Sequence, residues 1–455
     1  MMRAMRLGEL AGPLQGSVLG EDVAFDDVFT DSRKPLQGGL FVALRGENFD
    51  GHDYLEQVAG AGAAAALVSE AGSCALPCLQ VADTLRGLGD LGAYNRALYR
   101  GPLVAITGSA GKTTAKNLIH AVLSQRGNTL ATGGNLNNEI GVPLTLLRLQ
   151  PDHAFAVVEM GAAKRGDIAY LCALGRPTVS VLLNAMPAHL EGFGSLEGVA
   201  QTKGEIFDGL GAGDTAVINA DQPWAAQWRQ RAGSARIIDF SLEGNATVCA
   251  RGVKAGGLAG CSFTAVTGAS EFPVRLQLAG RHNVANALAA IAVGLACGLE
   301  PEEISAGLTS VAPTAGRLSS HRAASGAVVV DDCYNANPAS VHAAIDLLAT
   351  GEGRRTLVMG AMRELGEASA QMHRELGEYA ATAGLDGFWG VGDELREAVA
   401  AFGDGGRWFA DCASAAAAAL DEFTEGDTIL IKGSRGARME RVLQALIPAA
   451  GGGNH

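Results

Sequence analysis

The sequence predicts an α/β protein of three domains: a small mixed α/β domain over residues 1–100, a central domain with a mostly parallel sheet over 101–312, and a Rossmann-like domain over 313–455. Three observations carry this reading. The chain has 455 residues, enough for two to four domains at roughly 100 to 200 residues each. From residue 101 onward, aliphatic and β-branched runs alternate with helical patterns, as in sheets covered by helices on both faces. One such run passes at 103–114 directly into a glycine-containing turn, a lysine and two threonines.

In the first block, strand-like runs at 39–44, 63–69 and 79–82 are separated by Gly- and Asp-rich turns, and the pattern of 83–99 suits a helix. The pattern changes at Gly101-Pro102. Apolar runs at 104–107, 154–159, 178–184 and 215–219 then alternate with helical stretches. Residues 237–278 hold several strand-like pieces with turn signals and little helix, which predicts an antiparallel appendage before a helix starting near Asn283. From about Pro313 the runs AVVVDD, RTLVMG, GFWGVG and TILIKGS each precede a helical pattern. The alanine tract 415–419 reads as ordinary helix, given the high helix propensity of alanine.

Composition narrows the function. Hydrophobic residues make up 48%, which excludes a disordered chain. Glycine, at 62 residues, is near twice the usual ~7% but shows no collagen period, so it serves turns and close approaches. A net charge of −13 speaks against nucleic acid, whose phosphates need clustered cations. A small anionic substrate remains compatible, because local cations and amides act at short range. The eight cysteines are scattered, without metal-site spacing or disulfide density, and read as reduced thiols. The longest apolar run, 287–299, falls short of the about 20 residues that span a bilayer. A cytoplasmic protein without membrane insertion is expected.

The strongest local signal is LVAITGSAGKTT at 103–114. In such a loop, Thr107, Gly108, Ser109, Ala110, Gly111, Lys112, Thr113 and Thr114 would surround a nucleotide's phosphates. Glycines let amides face the anion, the helix start adds positive potential, Lys112 reaches the β/γ-phosphates and Thr113 supplies an oxygen to Mg²⁺. Ile106 stands where the usual loop opens with glycine. The loop alone leaves the reaction open. Three further residues fall past strand ends or on a following helix: Glu159, His189 and Lys203. Singly, they read more readily as a solvated strand-end glutamate, a structural or surface histidine and a solvated lysine.

Taken together with GSAGKTT, the stretches NAMPAHLEGFGSLEGVAQTKGEIF, GRHNVANALAA (280–290), GR (316–317), DDCYNANP (331–338) and IKGSR (431–435) resemble the Mur ligase family, ATP-dependent amide-bond-forming enzymes of peptidoglycan synthesis. The likeness runs over 31–440. Within the family, GGNLNNEIGVPLTLL (133–147), AHLEGFGS (188–195), DDCYNANP and MRELG (362–366) are most similar to the branch that joins D-alanyl-D-alanine to UDP-N-acetylmuramoyl-tripeptide.

The resemblance implies a UDP-sugar-binding first domain, an ATP-binding second, and a third that binds the amino substrate and closes over ATP. It implies two Mg²⁺ ions, one at Thr113 and Glu159 and one at Glu159, His189 and a carbamylated Lys203. Carbamylation turns a repelling ammonium into an anionic oxygen ligand. Asn283 and Asn286 would contact adenine, and Arg317 and Asp332 the phosphate and ribose. Ser32 and Arg33 would face the uridine diphosphate, Asn135, Asn137 and Asn138 the muramoyl-peptide, and Asn335, Asn337 and Lys432 the acceptor peptide. Lys112, Glu159, His189, Lys203 and Arg317 would be the catalytic set of a monomer.

The sequence departs from the family pattern at Ala361, where aspartate is common, at Ala163 and Lys164, where Asn/Ser-His is typical, and at Cys333, which replaces Ser or Thr. Two other readings stay open: another ligase of the superfamily, such as a third-residue muramoyl ligase or a folylpolyglutamate synthetase, and a non-ligase P-loop switch or kinase.

Overall fold

The computed structural model describes residues 2–70, 75–187 and 190–447, apart from the side chains of 190 and 191. The first domain holds a five-stranded sheet in the order Ser17–Leu19, Cys78–Gln80, Ala65–Val68, Leu40–Val42, Val28–Phe29. Only its Ser17–Leu19 edge runs antiparallel. The helix Thr84–Leu98 starts at Asp83, whose carboxylate accepts from the amides of Leu85 and Arg86, an N-cap that satisfies otherwise orphaned donors. Its far end is bonded into the next domain. Asn95 donates to the carbonyls of Leu146, Leu147 and Leu149, and Arg96 to those of Gly175 and Arg176.

The central sheet has nine strands, ordered Glu271–Leu276, Cys261–Thr267, Val248–Ala255, Arg236–Ser241, Thr215–Asn219, Val179–Leu182, Leu103–Thr107, Phe155–Glu159, Thr129–Ala131. The expected antiparallel appendage is instead a continuation of this sheet. Arg236–Ser241 pairs parallel with Thr215–Asn219 and with Val248–Ala255, and only Cys261–Thr267 runs antiparallel, to the neighbour on each side of it. Glu271–Leu276 alternates exposed and buried residues because one face packs on the helix Pro301–Thr309, where Ser305 and Thr309 donate to the carbonyls of Pro273 and Arg275.

Apolar layers cover both faces of the sheet. One contains the helices Lys112–Leu123 and Arg281–Ala296, the other residues of Asp167–Gly175 and Leu196–Gly204 with Trp228. Leu103–Thr107 lies between Phe155–Glu159 and Val179–Leu182. The chain reverses its direction of travel across the sheet there, and the crevice beyond such carboxyl ends is where doubly wound sheets take ligands.

The third sheet has six strands, ordered Ser319–Arg322, Val328–Asp332, Thr428–Lys432, Arg355–Gly360, Gly387–Val391, Gly406–Phe409, all parallel except the first. Among the described residues no helix is long and apolar enough to cross a membrane.

Candidate active site

The site begins at the end of the fully buried strand Leu103–Thr107. Thr107 turns its hydroxyl to the carbonyl of Met160 at 2.8 Å, which locks this strand to its neighbour. Gly111 caps the following helix at φ +82°, a left-handed conformation that disfavours side chains. A Cβ there would also meet Asn286 Oδ1 at 2.7 Å.

The loop is clasped from the next strand. Asn184 takes the amide of Ala110 on its side-chain oxygen and returns a hydrogen bond to the Ala110 carbonyl, at 3.0 and 3.1 Å, while its own carbonyl accepts from the Ser109 amide. The Ser109 hydroxyl donates to the Met186 carbonyl. The Ser109 and Ala110 amides are thus engaged, and the donors that can face an anion include the first-turn amides at Lys112, Thr113 and Thr114, which helix geometry leaves without intrahelical acceptors.

Around this turn the charged groups converge. Lys112 Nζ donates to the Gly108 carbonyl at 2.8 Å. Burial lowers its pKa, opposed by the Glu159 carboxylate and reinforced by Arg317. Glu159 is 2% exposed and bonded on both oxygens: Thr113 Oγ1 donates to Oε2 at 3.0 Å and Asn137 Nδ2 to Oε1 at 2.8 Å. Arg317, from the third domain, donates to Thr113 Oγ1 at 3.0 Å. Its guanidinium lies 4.2 Å from the centre of the Tyr334 ring, a cation–π contact that fixes its approach.

Lys203 is 2% exposed. Burial, with repulsion from Lys112, holds its pKa well below the usual lysine value. Its Nζ lies 5.9 Å from the centre of the Phe193 ring. His189 lies outside the described residues. Among the described residues no group of three His, Cys, Asp or Glu is placed to hold a metal. The Thr113 hydroxyl and the Glu159 carboxylate are hard oxygen donors on one carboxyl edge, the chemistry that suits Mg²⁺.

The remaining expected residues divide. Asn283 and Asn286 are buried, Asn286 beside Gly111 with its Nδ2 on Asn283 Oδ1 at 3.0 Å, and Asn283 with its Nδ2 on the Ala279 carbonyl at 2.7 Å. In the third domain Lys432 Nζ donates to Asp332 Oδ2 at 2.5 Å and to the Asn335 carbonyl at 3.0 Å. Burial raises the Asp332 pKa, and Lys432 opposes that. Asn138 accepts from the Ile140 and Gly141 amides, and Asn337 Oδ1 caps the helix Pro338–Ala349 through Ser340. Asn135 is exposed. Ser32 and Arg33 stand apart on the first domain. Arg33 makes a two-pronged pair with Asp31, at 2.8 and 3.0 Å, that pulls the Asp31 pKa down to about 2.

Two contributors escaped the sequence reading. Asn184 ends an apolar run and opens the NAMPAHLEG stretch, but neither signals its clasp on the loop. Lys116, 5% exposed, follows Lys112 by four residues and so shares its helix face, a spacing that could have flagged it. Of the departures, Cys333 is buried with its Sγ on the Ile431 carbonyl, the Ala163 and Lys164 amides both donate to Asp167 at 2.9 Å, and the Ala361 carbonyl accepts from the Ser434 amide.

Three Mur ligase models match the chain: the family's catalytic domain over 25–89, the middle domain over 106–294 and the glutamate ligase domain over 316–435. The UDP-N-acetylmuramoyl-tripeptide–D-alanyl-D-alanine ligase of Escherichia coli (strain K12) is 43% identical over 98% of this chain and 99% of its own. The crystal structure of MurF from Acinetobacter baumannii superposes with a TM-score of 0.92 at 34% identity, covering 97% of this chain and 98% of that one. The MurF ligase of Thermotoga maritima in complex with ADP gives 0.82 at 30%, covering 92% and 96%. With the loop, the carboxylate and the arginine assembled as above and likeness along nearly the whole length, the chain belongs to the Mur ligase family.

Proposed function

We propose that the protein is an ATP-dependent ligase that joins D-alanyl-D-alanine to the terminal carboxylate of UDP-N-acetylmuramoyl-tripeptide, giving the pentapeptide precursor of peptidoglycan. The observation that carries this reading is the double engagement of Glu159. One oxygen is bonded to Thr113 of the phosphate loop and the other to Asn137 of the asparagine-rich turn, so one carboxylate joins a nucleotide site to a candidate acyl-donor site. Full-length likeness to the Escherichia coli ligase supports the choice of substrates.

A carboxylate does not condense with an amine in water without activation. ATP supplies it: the tripeptide carboxylate attacks the γ-phosphorus, the bond to the bridging oxygen breaks, and ADP leaves an acyl phosphate. The amine of D-alanyl-D-alanine then adds to the acyl carbon, and phosphate departs as the amide forms. Lys112 and the first-turn amides neutralise the phosphates, and Arg317, held against Thr113, adds a cation where charge builds during transfer. Asn286, beside Gly111, and Asn283, bonded to it, would form the purine end of the pocket.

Thr113 and Glu159 would hold one Mg²⁺, and Glu159, His189 and carbamylated Lys203 a second. Bound there, Mg²⁺ offsets phosphate charge and polarises the transferring group. The depressed pKa of Lys203 favours the neutral amine, the form that adds CO₂ with loss of a proton. Residues 1–100 would take the UDP-sugar through Ser32 and Arg33. Residues 313–455 would receive the acceptor near Asn335, Asn337 and Lys432 and exclude water from the acyl phosphate. The enzyme would act as a cytoplasmic monomer. Phosphate release with and without each substrate tests the reading: release should require ATP, UDP-tripeptide and the dipeptide together.

A further inference from the structure

One buried cation in the site has no part in the mechanism above. Lys116 is 5% exposed on the phosphate-loop helix, and its Nζ donates to the backbone carbonyl of Thr132 at 2.7 Å. Thr132 is itself 2% exposed and opens the turn that carries Asn135, Asn137 and Asn138. Its amide donates to the Val157 carbonyl at 3.0 Å, and its hydroxyl accepts from the Glu159 amide at 2.9 Å. Asn137 closes the ring, with its side chain on Glu159 and its carbonyl accepting from the Gly161 amide at 2.7 Å.

We propose that Lys116 is a positioning residue for the acyl donor: its bond to Thr132 seats the 133–138 turn on Glu159 and so fixes where the tripeptide carboxylate meets the phosphate loop. The inference rests on the function proposed above and goes beyond it by naming the residue that joins the two subsites. The chemistry supports that role. A lysine out of water is costly unless it is hydrogen-bonded, and a charge-assisted bond to a carbonyl is roughly twice as strong as a neutral one. Thr132 is a joint because its two backbone groups and its hydroxyl each take a separate partner: helix, neighbouring strand and Glu159. Lys112, one turn earlier, faces the loop and not the turn, so the two lysines serve different ligands.

The test compares full-length Lys116→Met, Lys116→Arg and Thr132→Val with the wild type. Phosphate release gives KM for UDP-N-acetylmuramoyl-tripeptide and for ATP, and calorimetry gives the affinity for ADP. Lys116→Met should raise the tripeptide KM at least tenfold while ADP affinity stays within about twofold, and Lys116→Arg should restore most of the loss. Thr132→Val, which keeps the lysine but removes the hydroxyl acceptor, should move the same KM in the same direction and decides the matter if Lys116→Met does not fold. An unchanged tripeptide KM in the folded variants overturns the inference. So does an equal loss of ADP affinity, which would make Lys116 a support of the helix alone. A wild type that forms no amide refutes the function itself; an active wild type with indifferent variants refutes only this role.

Discussion

Arg317 and Thr113 are 204 residues apart in the chain, yet the guanidinium donates to the threonine hydroxyl at 3.0 Å, and the same hydroxyl donates to Glu159. The third domain thus reaches the phosphate loop through one charged side chain. Arg317→Ala should lower kcat by on the order of 10²-fold, the scale lost with one preorganised transition-state donor, while ADP affinity changes far less. Single-turnover phosphate transfer checks it; unaltered kcat would remove Arg317 from the chemistry.

Lys203→Met should abolish turnover without lowering Tm. The buried amine carries a depressed pKa, so between its folded pKa and the ordinary value near 10.4 the unfolded chain holds the extra proton, and stability rises with pH across that window. Below the folded pKa the penalty of the buried ammonium is present in full. Replacing the lysine with an apolar side chain removes that penalty. Thermal melts over pH 7 to 10 should therefore show a shallower rise in the variant; parallel curves would mean the amine is solvated.

Gly111→Ala should cripple nucleotide binding. The position combines φ +82° with a 2.7 Å approach to Asn286 Oδ1, and a left-handed alanine alone costs about 1–2 kcal/mol. Calorimetric titration with ADP should show at least a tenfold weaker complex, and wild-type affinity would mean that the loop relaxes freely.

Arg33→Ala should weaken binding of the UDP-substrate and release Asp31. With its two-pronged partner gone, the Asp31 pKa should climb from about 2 towards its ordinary 3.8. Because the folded value is the depressed one, the contribution of the pair is present above about pH 4 and lost as pH falls through 2. Carboxylate titration by NMR reads the shift; an Asp31 pKa that stays at 2 would assign it to the backbone amide of Arg33 instead.

What the sequence disclosed and what it hid follow the range of the interactions. The strand, glycine turn, Lys112 and Thr113 are legible because each is a local choice within a dozen residues. The cap at Asn337 is equally local, since Asn-Pro with Ser340 three places on is an N-terminal signature, but the resemblance assigned that asparagine to the acceptor peptide and the cap went unread. Asn184 was not legible, because its bonds cross 74 residues to reach Ala110. For Lys116 the four-residue spacing from Lys112 is legible but its enclosure is not; only the fold brings the Thr132 carbonyl to it. The strands after residue 236 read as an antiparallel appendage of the central domain because turn signals between short strands indicate hairpins and say nothing of which sheet they extend.

The central claim is that Glu159 and the loop beside it energise a peptide carboxylate for capture by an amine. The most direct measurement follows ADP, phosphate and peptide product together when the purified protein receives ATP, UDP-N-acetylmuramoyl-tripeptide and D-alanyl-D-alanine. The account predicts one of each per turnover and none from Glu159→Ala. Nucleotide consumed with no amide formed would contradict it.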